Sequence, residues 1–409
     1  MATGGLVVSL AVVAAGWPSP LSHFLSSRST RRAAMEASVV VDAGRYGRER
    51  LARYATDSTS SGGWEDLPVW NPPTAVVHDR DGVIVDDGDE EPLVVSAAAA
   101  AGDAGALLEL GRLAFVRYPA QRAPFRLASL DPAARAALGL WSDPVAGVAG
   151  LVQVRHGDGS SSTSMTCATC HARPGGGEGA AIIWGVSNEA LDLGALILDA
   201  PLSGRHVSDP VREQTLAAWG PGRVDVTTSS GLEPAHIPDL RATRFQQHLQ
   251  HAGAVVQHDV TSLAVRIETL IITSHDGAIR PPREVALGLA LYLWSLGDTL
   301  PPLETSSTAA TLFGQRCGRC HGGDGLAGGL IDVDTIGTDP TLARSPDRGT
   351  GAYRATSLRG VGTRTRLLHD GSVQGLADFF DPGRVSGHPQ GTTLSAADRG
   401  ILAAWLHGL

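Results

Sequence analysis

All four cysteines of the chain fall in two copies of one pentapeptide, Cys167-Ala-Thr-Cys170-His171 and Cys317-Gly-Arg-Cys320-His321, 150 residues apart. Each copy fits CxxCH, the spacing that attaches c-type haem. The two thiols add across the haem vinyl groups as thioethers, and the histidine that follows is placed to bind iron from the proximal side. The pattern predicts two covalently attached haem c groups, with His171 and His321 as proximal metal ligands. A zinc or redox CxxC reading leaves the repeated histidine unexplained, and a disulfide between cysteines this close in sequence is strained.

The chemistry then depends on the far side of each iron. Electron-carrying modules often use methionine there, which raises the reduction potential. Only Met1, Met35 and Met165 exist; two lie far upstream and the third sits on the first attachment loop. Each haem is therefore expected to be bis-histidine, bound by another side chain, or open, and an open iron is the precondition for chemistry on peroxide or oxygen. For the second haem, His388 in the loop Ser386-Gly387-His388-Pro389 is the first choice, because a loop histidine can approach iron free of helix constraints. His369 is the second, and His407, near the C-terminus, suits a surface or packing role. Backbone hydrogen bonds are the alternative fate of both loop histidines. For the first haem the candidates are His206, His236, His248, His251, His258 and His275, with Trp184 and Trp219 able to roof the site. A peroxidatic pocket needs a group that takes a proton and returns it, which suits a histidine or Glu268.

The elements that must position these groups are mostly helical by pattern. Apolar spacing and cap signals predict helices over 104–118, 209–219, 260–273, 281–296, 308–315 and 395–409. Asp298 to Ser307, with Pro301 and Pro302, reads as a linker. The expected organisation is a leader or anchor over 1–32, an irregular extension with a few strands over 33–103, a haem module over 104–300 and a second over 301–409. A helix, CxxCH, glycine-rich loops and a closing helix, twice over, predict a mainly α fold of two packed cytochrome c-like modules.

At 409 residues the chain can build proper cores without leaning on its cofactors. A net charge of −9 and pI near 5.8 argue against nucleic acid as a partner. The basic residues are all arginine, so a docking redox protein would meet arginine or carboxylate patches. Haem c is attached outside the cytoplasm, which predicts export to a periplasm. The apolar run Leu6 to Gly16 supplies half of an export signal, since no positive residue precedes it, and it is too short to span a bilayer.

Further along, Tyr353-Arg-Ala-Thr-Ser-Leu-Arg359-Gly, then Leu368-His369-Asp370-Gly371-Ser372-Val373 and Leu376, resembles the bacterial dihaem cytochrome c peroxidase and MauG superfamily. There a P-S/T-L-R-N segment leads into Y-x-H-D/S-G. Gly111-Arg112-Leu113-Ala114-Phe115 is similar to the family's lead-in to the first haem. The resemblance spans 104–409, patchily in the middle. It implies a reactive N-terminal haem, a C-terminal haem that relays electrons, and Arg359 near the second haem, neutralising propionate. The family's methionine or tyrosine ligand falls where this chain has Phe379 to Gly383. That departure favours His388 and looks like the branch containing dihaem rubber oxygenases.

Where the family has an inter-haem Trp-Asp-Gly element, this chain has Gln250-His251-Ala252-Gly253, with Glu268 downstream as the matching pocket glutamate. His251 and Glu268 are thus the implied catalytic pair, although loss of the tryptophan counts against peroxidase activity. Family peroxidases also hold calcium between the modules. Three readings follow: a dihaem oxidoreductase acting on peroxide, O2 or a small substrate with a redox-protein partner; a non-catalytic dihaem electron carrier; and an oxygenase for an apolar substrate.

Overall fold

The structure, a computed structural model, describes residues 21–40, 45–55, 63–86, 91–144, 147–176, 181–202, 209–225, 233–384 and 387–409. The apolar run Leu6 to Gly16 lies outside them. No helix among the described residues is long and apolar enough to cross a membrane.

The fold is mixed α and β, and the mainly α expectation is wrong. A five-stranded antiparallel sheet precedes the first CxxCH: β1 (Thr74–Arg80), β2 (Val83–Asp86), β3 (Gln121–Arg122), β4 (Leu151–Arg155) and β5 (Ser161–Met165), in the order β2-β1-β4-β5-β3. Leu151, Val152 and Val154 are buried, and the Gly157–Gly159 turn that reads as a plain loop is the hairpin joining β4 to β5. The strand Ser161–Met165 is nearly all hydroxyl residues, so apolar alternation could not reveal it.

Residues expected to be leader and irregular extension also carry structure. Helices α1 (Leu21–Ser26), α2 (Arg28–Ser38) and α3 (Arg45–Ala55) occur here, with Phe24 and Met35 fully buried. Arg31 donates to Glu65 at 2.8 and 2.9 Å, and Arg283 also bonds Glu65, which ties the extension to the helical core through buried charges. Burial alone would raise the Glu65 pKa; the Arg31 hydrogen bond and the charge of Arg283 outweigh it, leaving the carboxyl below its ordinary range.

The predicted helices form where expected. They are α4 (Ala104–Arg117), α7 (Pro210–Ala217), α8 (Val260–Ser274), α9 (Arg283–Ser295), α10 (Thr308–Arg316) and α11 (Ala396–His407), while α5 (Cys167–His171) and α6 (Leu193–Asp199) are helices that the sequence reading did not predict. Asp103, Asp259, Ser307 and Ser395 cap α4, α8, α10 and α11, each side chain accepting a backbone N–H from the first turn. α4 and α9 cross in near backbone contact at Gly111 and Gly288, where neither position has room for a methyl group. Gly288→Ala should therefore cost about 1–3 kcal/mol through overpacking, read as a lower denaturant midpoint at unchanged slope. An unchanged midpoint would mean the helices do not approach this closely.

Candidate functional site

The sheet delivers the first motif. β5 ends at Met165, and the Thr166 hydroxyl donates to the Gly150 carbonyl at 2.8 Å while accepting the Ala168 N–H, so the turn of α5 is anchored on the sheet. One helical turn sets Cys167 and Cys170 on one face with His171 beside them. Cys170 belongs to the sheet-side core and Cys167 packs on the helical core, so the motif lies at the seam of the two. Burial pushes both thiols up to about 12. A redox-active CxxC needs a depressed thiol, so these cysteines are poor exchange nucleophiles, and all four cysteines are free.

The proximal histidines are prepared for iron in the same manner. His171 Nδ1 donates to the Pro238 carbonyl at 3.0 Å and His321 Nδ1 to the Leu326 carbonyl at 3.3 Å, so Nε2 of each would be the nitrogen to bind a metal. Burial, foremost, brings both imidazoles down to about 4, so each is neutral at physiological pH, the form that binds a metal.

The second motif continues directly from α10, where the Cys317 N–H bonds the Phe313 carbonyl and the His321 N–H bonds the Cys317 carbonyl. It opens on a cavity of about 640 Å³ lined by Cys317, Cys320, His321, Leu358, Phe380 and His388 among others, a size suited to a cofactor. Across that cavity the rings of His321 and His388 face each other with centroids 6.3 Å apart and planes 32° apart. Two metal–nitrogen bonds of about 2 Å, with about 1.1 Å from each nitrogen to its ring centre, span about 6 Å. That separation would suit one metal ion held by both imidazoles.

His388 is held there by its loop. Its backbone is left-handed at φ 53°, an uncommon state for a side chain with a Cβ, and Pro389 follows it. Arg384 fastens the loop by donating to the carbonyls of Phe379, Gly387 and His388, and Phe379 packs its ring 5.2 Å from the imidazole. His388 Nδ1 is buried without a hydrogen-bond partner. Sequence reasoning missed Arg384, whose carbonyl acceptors carry no side-chain pattern.

The other candidates lie elsewhere. His369 lines the same cavity, but its ring stacks on Tyr353 at 4.2 Å and its carbonyl accepts from the His236 N–H. Arg359 is not part of the cavity wall; it donates to the carbonyls of Asp324 and Pro301 and lies over Phe245. The arginines that do line the wall are Arg316, Arg319, Arg354, Arg364 and Arg366, none of which the sequence reading chose. His251 lines this second cavity too, with Nε2 2.8 Å from the His236 carbonyl, and burial holds its pKa well below the ordinary value.

Glu268 is fully buried on α8 beside Arg283, 3.9 Å away, in the ion cluster that holds the N-terminal extension; burial raises its pKa. His258 contacts the Ala37 carbonyl and His275 the Ile271 carbonyl, while His206 lies outside the described residues. Trp184 pairs with Ala172 in a short strand beside the first motif, Trp141 Nε1 donates to the Ala172 carbonyl at 2.9 Å, and Trp219 is buried in the sheet-side core. Among the described residues no group of three or more His, Cys, Asp or Glu side chains is arranged to hold a metal ion, so the structure locates no calcium site. Comparison with protein-family models gives no match, and comparison with curated proteins gives none.

Proposed function

We propose that the chain is an exported dihaem c-type oxidoreductase, with haem c on Cys167/Cys170 and on Cys317/Cys320. The observation that carries the reading is the facing pair His321 and His388 at 6.3 Å, in a cavity walled by the second CxxCH. Bound there, haem supplies one-electron redox chemistry. The residues do the rest. His321 is fixed in tautomer and direction by the Leu326 carbonyl, and His388 is presented from the opposite wall by the Arg384-fastened loop. Two protein ligands leave no position for substrate, so this site suits electron transfer with a small redox partner.

Peroxide or oxygen chemistry belongs at the first motif in this reading, supported by the resemblance of the 353–376 segment to dihaem peroxidases. His171, buried and aligned by the Pro238 carbonyl, provides the proximal ligand. EPR of the oxidised and half-reduced protein tests the division of labour. One low-spin bis-histidine signal should accompany a second haem that responds to cyanide or peroxide. Two low-spin signals unchanged by either ligand would reduce the protein to a dihaem electron carrier.

A further inference from the structure

Of the five arginines that line the cavity holding His321 and His388, Arg354 and Arg364 each keep a buried guanidinium nitrogen without a hydrogen-bond partner. Arg354, at the end of the short strand Ala352–Arg354, donates one bond to the His248 carbonyl at 3.0 Å, and its Nε is buried without a hydrogen-bond partner. Arg364 donates to the carbonyls of Ser357 and Arg359 at 3.0 and 2.6 Å, and its Nε also lacks a hydrogen bond. Its nearest carboxylate, Asp239 at 3.7 Å, is already gripped by Arg241 at 2.6 Å. The other acid on the wall, Asp332, is exposed and caps a helical turn. Burial, and after it the charge of Arg364, brings the Arg354 guanidinium down to about 10.

Arg354 has no carboxylate at ion-pair distance among the described residues and Arg364 shares Asp239 with Arg241, so a pair of carboxylates would relieve both. We propose that Arg354 and Arg364 seat the two propionates of the haem carried by the second CxxCH. The assignment rests on the proposed haem at that motif. It replaces Arg359, which does not line the cavity. Positive charge beside the haem favours the reduced iron, so these two residues also set its potential.

The test uses the mature holoprotein and follows the midpoint potential of each haem by redox titration with EPR. Arg354→Met should make reduction of the second haem at least tenfold less favourable, a shift of about 59 mV to lower potential, with the first haem unmoved. Arg354→Lys, which keeps the charge, should restore most of it. Arg364→Gln reads the same shift independently should Arg354→Met fail to mature.

Succinate titrated into the wild-type holoprotein should leave the spectrum and potential unchanged. Two covalent haems with an unshifted potential in both Arg354→Met and Arg364→Gln would overturn the assignment alone. A saturable succinate effect abolished by Arg354→Met would also overturn it, since the seat would then be open to free carboxylates. Absence of covalent haem from the wild type would overturn it together with the proposed function.

Discussion

Replacing His388 with alanine should convert the second haem from low spin to high spin, moving half of the total haem signal and leaving the other half in place. The imidazole faces His321 across 6.3 Å, the strained φ of 53° aims it, and Arg384 fixes the loop that carries it. Removing the side chain deletes one axial nitrogen and leaves its place to water or to nothing. His388→Met should keep a sixth ligand and raise the potential, as thioether ligation does. If the alanine variant kept an unaltered low-spin spectrum, the ligand would have to be another residue of the cavity, such as His369, His251 or His236.

The second large effect concerns folding. Without haem, a cavity of about 640 Å³ would leave its apolar lining facing water instead of a cofactor. Cys317→Ala with Cys320→Ala should therefore do more than halve the haem content. It should remove the support of Phe313, Leu358, Phe380 and Leu406 around the cofactor and leave residues 308–409 unable to unfold cooperatively. Limited proteolysis should then cut inside this segment while the region around the first motif stays resistant. Wild-type resistance across 308–409 in the double variant would show that the cavity closes without haem.

How much of this was legible beforehand differs by kind of signal. The two CxxCH motifs were plain, because the attachment chemistry they would serve fixes both residue type and spacing. The helices were nearly as clear, since Asp103, Asp259, Ser307 and Ser395 mark their starts and their apolar faces repeat at helical period. His388 emerged because methionine was missing and a loop histidine was needed.

The sheet was not legible, as its pairing joins Thr74–Arg80 to Leu151–Arg155 across a long interval and one of its strands is Ser-Ser-Thr-Ser-Met. Sequence order put His251 with the first haem. The turn at Gln250, in left-handed conformation, and the Arg354 N–H bonded to the His251 carbonyl bring it instead into the second cavity. Glu268 looked like a pocket acid, but its partner Arg283 and the neighbouring Arg31–Glu65 pair come from segments remote in sequence. Arg354 and Arg384 carried no pattern at all, because what each one meets is backbone from distant or irregular loops.

Covalent haem content tests the central claim most directly. The intact mass of the chain, exported from a host that matures c-type cytochromes, should exceed that of the polypeptide by two haems, with peptide mapping placing one on Cys167 and Cys170 and one on Cys317 and Cys320. A mass equal to the bare polypeptide, with all four thiols free to alkylate, would contradict it.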